Sequence, residues 1–155
     1  MSTNALHQLL LDDIRHAEQL LNLIDAEYSA LQARDLQALE KLLSEKLPLL
    51  SLLDQHGQQR SQILIAANCS ANAEGLKHYT QQIANGNQVL EDSERLAELI
   101  GQCQQANIRN GRLIKANQSS TSSLLSIIRG NQGHGLYDSR GSAARIGSKR
   151  PISQA

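Results

Sequence analysis

The side chains able to do chemistry are few and widely spaced. Five histidines (His7, His16, His56, His78 and His134) and two cysteines (Cys69 and Cys103) are the candidate ligands and nucleophiles. Helical bundles that hold metals place a carboxylate and an imidazole three residues apart on one helix. The histidines are read here as lacking a carboxylate at that offset, and so as surface or seam residues. The cysteines lack the C-x-x-C spacing of redox or zinc motifs and read as inert small groups. No GxxxxGK[ST] loop occurs, and the glycines of GNQGHG have neither a flanking strand nor a following helix. With no nucleophile, base or metal set held together, an enzyme is not expected, nor a cofactor or bound metal.

The elements that would position such side chains follow from composition and spacing. The 155 residues make one domain's worth of chain, with no Trp, no Phe and three Tyr. Leu, Ile and Ala carry the apolar weight, which suits a narrow seam between long helices better than a thick globular core. Acidic and basic side chains cancel at fifteen each, which argues against wholesale nucleic-acid or membrane-surface binding. The balance is uneven along the chain. From Gly130 onward Arg140, Arg145, Lys149 and Arg150 face only Asp138, leaving +3 there and −3 on the rest. The N-terminus has no basic stretch before its apolar run, and no apolar run approaches the ~20 residues of a membrane span. A cytoplasmic location and reduced cysteines are therefore expected.

Leu10, Ile14, Ala17, Leu21, Ile24, Tyr28 and Leu31 alternate four and three residues apart, the 3.5-residue repeat of a left-handed coiled-coil seam. Leu6, Leu9, Leu20 and Leu23 widen the stripe, enough for more than one partner helix, and the pattern predicts a helix over 4–33. Asp35 is a suitable N-cap for a second helix ending near Ile65. Its seam is Leu36, Leu39, Leu43, Leu50, Leu53 and Leu64, interrupted by Lys46, Gly57 and Arg60. Leu42, Leu47, Leu49 and Leu52 broaden its buried face, and Pro48 predicts a kink near 44–48. Residues 66–73 read as a connection, 74–84 as a short helix, and Asn85-Gly86-Asn87 as a turn or tight kink. A last helix keeps the repeat from Val89 through Ser93, Leu96, Ile100, Cys103, Asn107, Asn110, Ile114, Asn117 and Thr121 to Leu124 and Ile128, and Gly130 stops it. The expected fold is all-α: an antiparallel long-helix bundle of three long helices and one short, with left-handed coiled-coil-like twist. Its domain is 1–130, and a disordered, Gly- and Ser-rich, basic C-terminal tail fills 131–155.

Three segments resemble the FlgN family. They are SEKLPLLSLLDQHGQQRSQIL in the second helix, CQQANIRNGRLIKANQ in the last, and the closing IIRGNQGHGLYDSRG with its Tyr-Asp-x-x-Gly element at Tyr137–Gly141. The resemblance covers essentially the whole chain. It implies a cytoplasmic export chaperone that binds the C-terminal segments of hook–filament junction proteins and delivers them to the cytoplasmic domain of the flagellar type III export gate. An unpaired amphipathic segment exposes an apolar stripe that invites aggregation, and a groove between helices can hide it.

On that reading Ile114, Leu124, Leu125, Ile127 and Ile128, at the apolar end of the last helix, are the cargo-binding candidates, because a helix of about 40 residues overhangs two of about 30. Some of them also suit core packing. Leu136 and Tyr137 are the candidate contact with the export gate. Asn107, Asn110 and Gly111 read as a polar layer fixing helix register, with cargo contact as the alternative. Lys46 and Arg60 read as ion-paired groups at the surface or seam edge. The rival functions are a coiled-coil scaffold that self-associates through the apolar end of the last helix and, less well matched, a nucleic-acid binder using the basic tail.

Overall fold

The computed structural model describes residues 2–117, with side chains from residue 5. Four helices follow in order: α1 (Ser2–Ala33), α2 (Leu36–Ala66), α3 (Ala73–Thr80) and α4 (Gly86–Ala116). Three are long and one is short, as the repeat predicts. The expected tail, and the expected continuation of the last helix beyond residue 117, fall outside the described residues.

Local sequence sets the helix ends. Asp35 caps α2, its carboxylate accepting the Ala38 amide at 3.0 Å. Asn72 caps α3 in the same way through the Gly75 amide at 2.8 Å. Both α1 and α2 close with a residue of positive φ, Arg34 at 54° and Asn68 at 61°. The amides of Asp35 and Cys69 then reach back to the carbonyls of Ala30 and Leu64. This is the six-to-one closure that satisfies a helix's last carbonyls, and Asn tolerates the left-handed conformation better than Arg. α2 runs unbroken through Pro48, whose side chain is exposed. The carbonyl of Ser44, which loses its donor there, belongs to an exposed residue too. α3 stops at Thr80 rather than continuing to 84, and Gly86 and Asn87 open α4 rather than forming a free turn.

Side-chain pairs give the topology. Asp13 meets Arg60 and Glu27 meets Lys46, so α2 runs antiparallel to α1. Cys103 meets Ala17 and Asn110 meets Ile24, each 86 residues apart, so α4 runs parallel to α1. α1 is the central rod, packed along its length by both α2 and α4, while α3 leans mainly on the start of α4.

The buried line of α1 is Leu6, Leu10, Asp13, Ala17, Leu20, Ile24, Glu27 and Leu31, an unbroken four-three repeat. It shares half its members with the expected seam. Ile14, Leu21 and Tyr28 are only partly buried, because Asp13, Leu20 and Glu27 take the inner positions instead. On α4 the expected seam is buried at Val89, Leu96, Ile100, Cys103, Asn107, Asn110 and Ile114, while Ser93 and Asn117 are only partly buried. On α2 the expectation fails at Leu36 and Leu47, which are 39% and 43% exposed. Full burial of an aliphatic side chain such as Leu20 or Leu39 is worth about 1.5–3 kcal/mol, and these residues carry the fold.

Candidate functional site

Charged residues occupy the centre of the α1–α2 interface. Glu27 is 1% exposed and Lys46 is 2% exposed, and Nζ donates to Oε1 at 2.9 Å. The second carboxylate oxygen of Glu27 has no hydrogen-bond partner among protein atoms. Two heptads away on each helix lies the second centre, around Asp13, which is fully buried. Arg60 donates to its Oδ2, and the Nδ1 atoms of His56 and His16 lie 2.7 and 3.3 Å from Oδ1.

Both centres correct the sequence reading. Lys46 and Arg60 are ion-paired as expected, but Lys46 is wholly inside and is no surface or edge group. The histidines do not all lack a carboxylate at the three-residue offset, since Asp13 stands three residues before His16. A signal for both was present. The interruptions at Lys46 and Arg60 on α2 are fourteen residues apart, as are Asp13 and Glu27 on α1, so charge faces charge when the helices pair antiparallel.

On the other flank of α1, Asn110 donates from Nδ2 to the Ile24 carbonyl at 2.9 Å, and its Oδ1 accepts from Arg109. The Arg109 guanidinium lies 4.2 Å from the centre of the Tyr28 ring and donates to Asp25 at 3.0 Å. Asn107 is buried one turn earlier on α4, and Gly111 is partly buried. Glu27, Lys46, Asn107 and Asn110 therefore separate the main apolar core from a smaller cluster of Ala30, Leu31, Leu39 and Ile114. Ile114, named above for cargo, is 3% exposed and packs in that cluster, so in this conformation it is committed to the core. Leu124, Leu125, Ile127, Ile128, Leu136 and Tyr137 lie outside the described residues.

Cys103 is buried against the Ala17 carbonyl, with Sγ at 3.6 Å. Burial pushes its thiol up to about 12 from about 9, against the pull of Lys46. Two consequences are expected. The thiol stays unmodified by disulfide reagents at pH 8 until the chain unfolds, which labelling kinetics in urea will check. The unfolded chain gives up this proton more readily, so the contribution of Cys103 to stability is intact below about pH 9 and lost as pH rises towards about 12.

A helical rod with the second helix antiparallel, the third long helix parallel, and an Asn-containing seam is one arrangement that many bundles share. The comparisons with known proteins decide among them. The family model for the FlgN protein matches residues 1–145. The chain belongs to the FlgN family. A crystal structure at 1.48 Å of a protein named as a flagella synthesis protein, FlgN, from Pseudomonas aeruginosa is 46% identical. The match covers 78% of this chain and 93% of that one, with a TM-score of 0.66. No curated protein matches at a significant level. FlgN-family membership thus assigns the chain a flagellar role, and the buried pairs above belong to a FlgN-type bundle. Among the described residues no helix is long and apolar enough to cross a membrane.

Proposed function

We propose that this FlgN-family chain is a cytoplasmic flagellar export chaperone. It binds the C-terminal segments of hook–filament junction proteins, prevents their premature assembly, and delivers them to the type III export gate. The family match over residues 1–145 carries the reading. The geometry at one end of the rod supports the choice of cargo surface. Arg34, in the α1–α2 turn, donates to the Asn117 side chain at 3.0 Å. α4 has therefore reached the end of the α1–α2 hairpin by residue 117. Leu124, Leu125, Ile127 and Ile128, which follow in the sequence, are the apolar residues proposed to take a partner's amphipathic segment. Ile114 packs in the smaller cluster in this structure, so the proposal rests on the other four residues.

The test is capture of junction proteins from cytosol, at physiological salt, on the immobilised full chain and on a version ending at Asn117. The full chain is expected to retain them and the shortened one to lose them. Full-length Leu124→Asp with Ile128→Asp is likewise expected to abolish capture while leaving helicity unchanged. Tyr137→Ala should spare capture and impair export. Retention by the shortened chain would move cargo onto the described helices, where the open apolar depression between Ala5, Leu9, Ile63 and Ala66, about 510 Å³, is the place to mutate next. Capture by no form, with a stable homodimer in sedimentation, would favour the scaffold reading.

A further inference from the structure

We propose that Asp13, His16 and His56 form a divalent-metal site of the zinc class that joins α1 to α2. The candidate donor atoms of the three residues lie within 4.8 Å of one another. Oδ1 of Asp13 is 2.7 Å from His56 Nδ1 and 3.3 Å from His16 Nδ1, and the two imidazole rings are 5.6 Å apart between centroids. Metal–ligand bonds of about 2.0–2.1 Å in tetrahedral geometry set neighbouring ligand atoms roughly 3.3 Å apart. Two of the three donor pairs are therefore near that spacing, and the third lies within 4.8 Å. Asp13 and His16 share one helix face at a spacing of three, and His56 comes from the facing helix, as in metal-binding bundles.

The chemistry of the donors selects the ion. Two imidazole nitrogens and one carboxylate oxygen suit Zn²⁺ or Co²⁺, whereas Mg²⁺ and Ca²⁺ favour all-oxygen sets. The His16 and His56 side chains are 20% and 15% exposed, which gives an ion a way in and a water molecule access to a fourth position. Arg60 is the competitor. It holds Oδ2 of Asp13, and its positive charge opposes a cation at Oδ1. Its side chain is 16% exposed, so it can turn outward when an ion arrives. The site is accordingly weaker than a dedicated structural zinc centre, and Arg60 sets how much weaker.

That competition gives the test its sign. The full chain is titrated with Zn²⁺ by calorimetry at pH 7.5, and with Co²⁺ by visible absorption, which reports tetrahedral coordination. One ion per chain is expected. His56→Gln and His16→Gln should each weaken binding at least tenfold, and Arg60→Gln should tighten it severalfold. Circular dichroism without metal confirms that each variant is folded. Absence of saturable binding below millimolar Zn²⁺ overturns the proposal. So does binding that both histidine variants leave unchanged, which places the ion elsewhere on the chain, and so does an Arg60→Gln variant that binds more weakly.

Discussion

Lys46→Met is expected to destabilise the chain by about 3–5 kcal/mol, measured by urea unfolding, because it leaves the Glu27 carboxylate buried without its cation. The two side chains are 2% and 1% exposed, and among the described residues the second carboxylate oxygen of Glu27 has no donor. A surface ion pair of similar geometry would contribute at most about 1 kcal/mol, so the size of the loss reports desolvation directly. The companion experiment removes both charges. Glu27→Leu with Lys46→Met is expected to recover most of the loss and to equal or exceed the parent, since neither charge then has to be desolvated. A single-mutant loss below about 1 kcal/mol would mean that water reaches the pair.

The role left to the pair is register. Asp13 with Arg60 and Glu27 with Lys46 are spaced two heptads apart on both helices. Sliding α2 by one heptad brings Asp13 opposite Leu53 and Lys46 opposite Leu20, burying charge against hydrocarbon. A seam of leucines alone would tolerate that slip. The charges exclude it, as a buried polar residue does in other coiled coils.

Gly75→Ala is the second large effect, at roughly 3 kcal/mol, the upper end of what overpacking costs. A Cβ on Gly75 would overlap the Ser70 carbonyl oxygen, with the Ser70 carbon and nitrogen at 2.5 and 2.8 Å. All three are backbone atoms and cannot rotate aside. The 67–72 loop must lift off α3, and Cys69, buried beside Ser70, is expected to become reactive to thiol reagents while Cys103 stays protected. Gly86 makes the same kind of close approach to the Thr80 carbonyl where α4 begins. Stability within 0.5 kcal/mol of the parent, with Cys69 still protected, would show that the loop yields freely.

Much of this architecture was legible in the sequence because it depends on local rules. Asp35 as a cap, a second helix from there to near Ile65, and most of the α4 seam from Val89 to Ile114 need only propensity and periodicity. What escaped depends on partners distant in sequence. Burying Asp13 or Glu27 is prohibitive for either residue alone, so the apolar repeat by itself assigns inner positions of α1 to Ile14, Leu21 and Tyr28. Only the complementary charges on α2 reverse that judgement. The early stop of α3 at Thr80 and the inclusion of Gly86 in α4 likewise follow from a close backbone approach that no period encodes. For the candidate site, the polar character of Asn110 was readable, whereas the hydrogen bond from its side chain to the Ile24 carbonyl required the helices to be placed.

The layer of Glu27, Lys46, Asn107 and Asn110 also divides the rod into two cooperative units of unequal size. Sixteen buried residues lie in the larger cluster and four in the smaller, at the α1–α2 turn. The few apolar contacts of the smaller unit give it a low free energy of local opening. Backbone amides around Leu31, Leu39 and Ile114 are therefore expected to exchange hydrogen by sub-global unfolding, faster than those around Ala17 and Cys103, which exchange only when the whole rod unfolds. One end of the molecule can fray and re-form while the other stays shut, and that end is the one from which the rest of the chain departs.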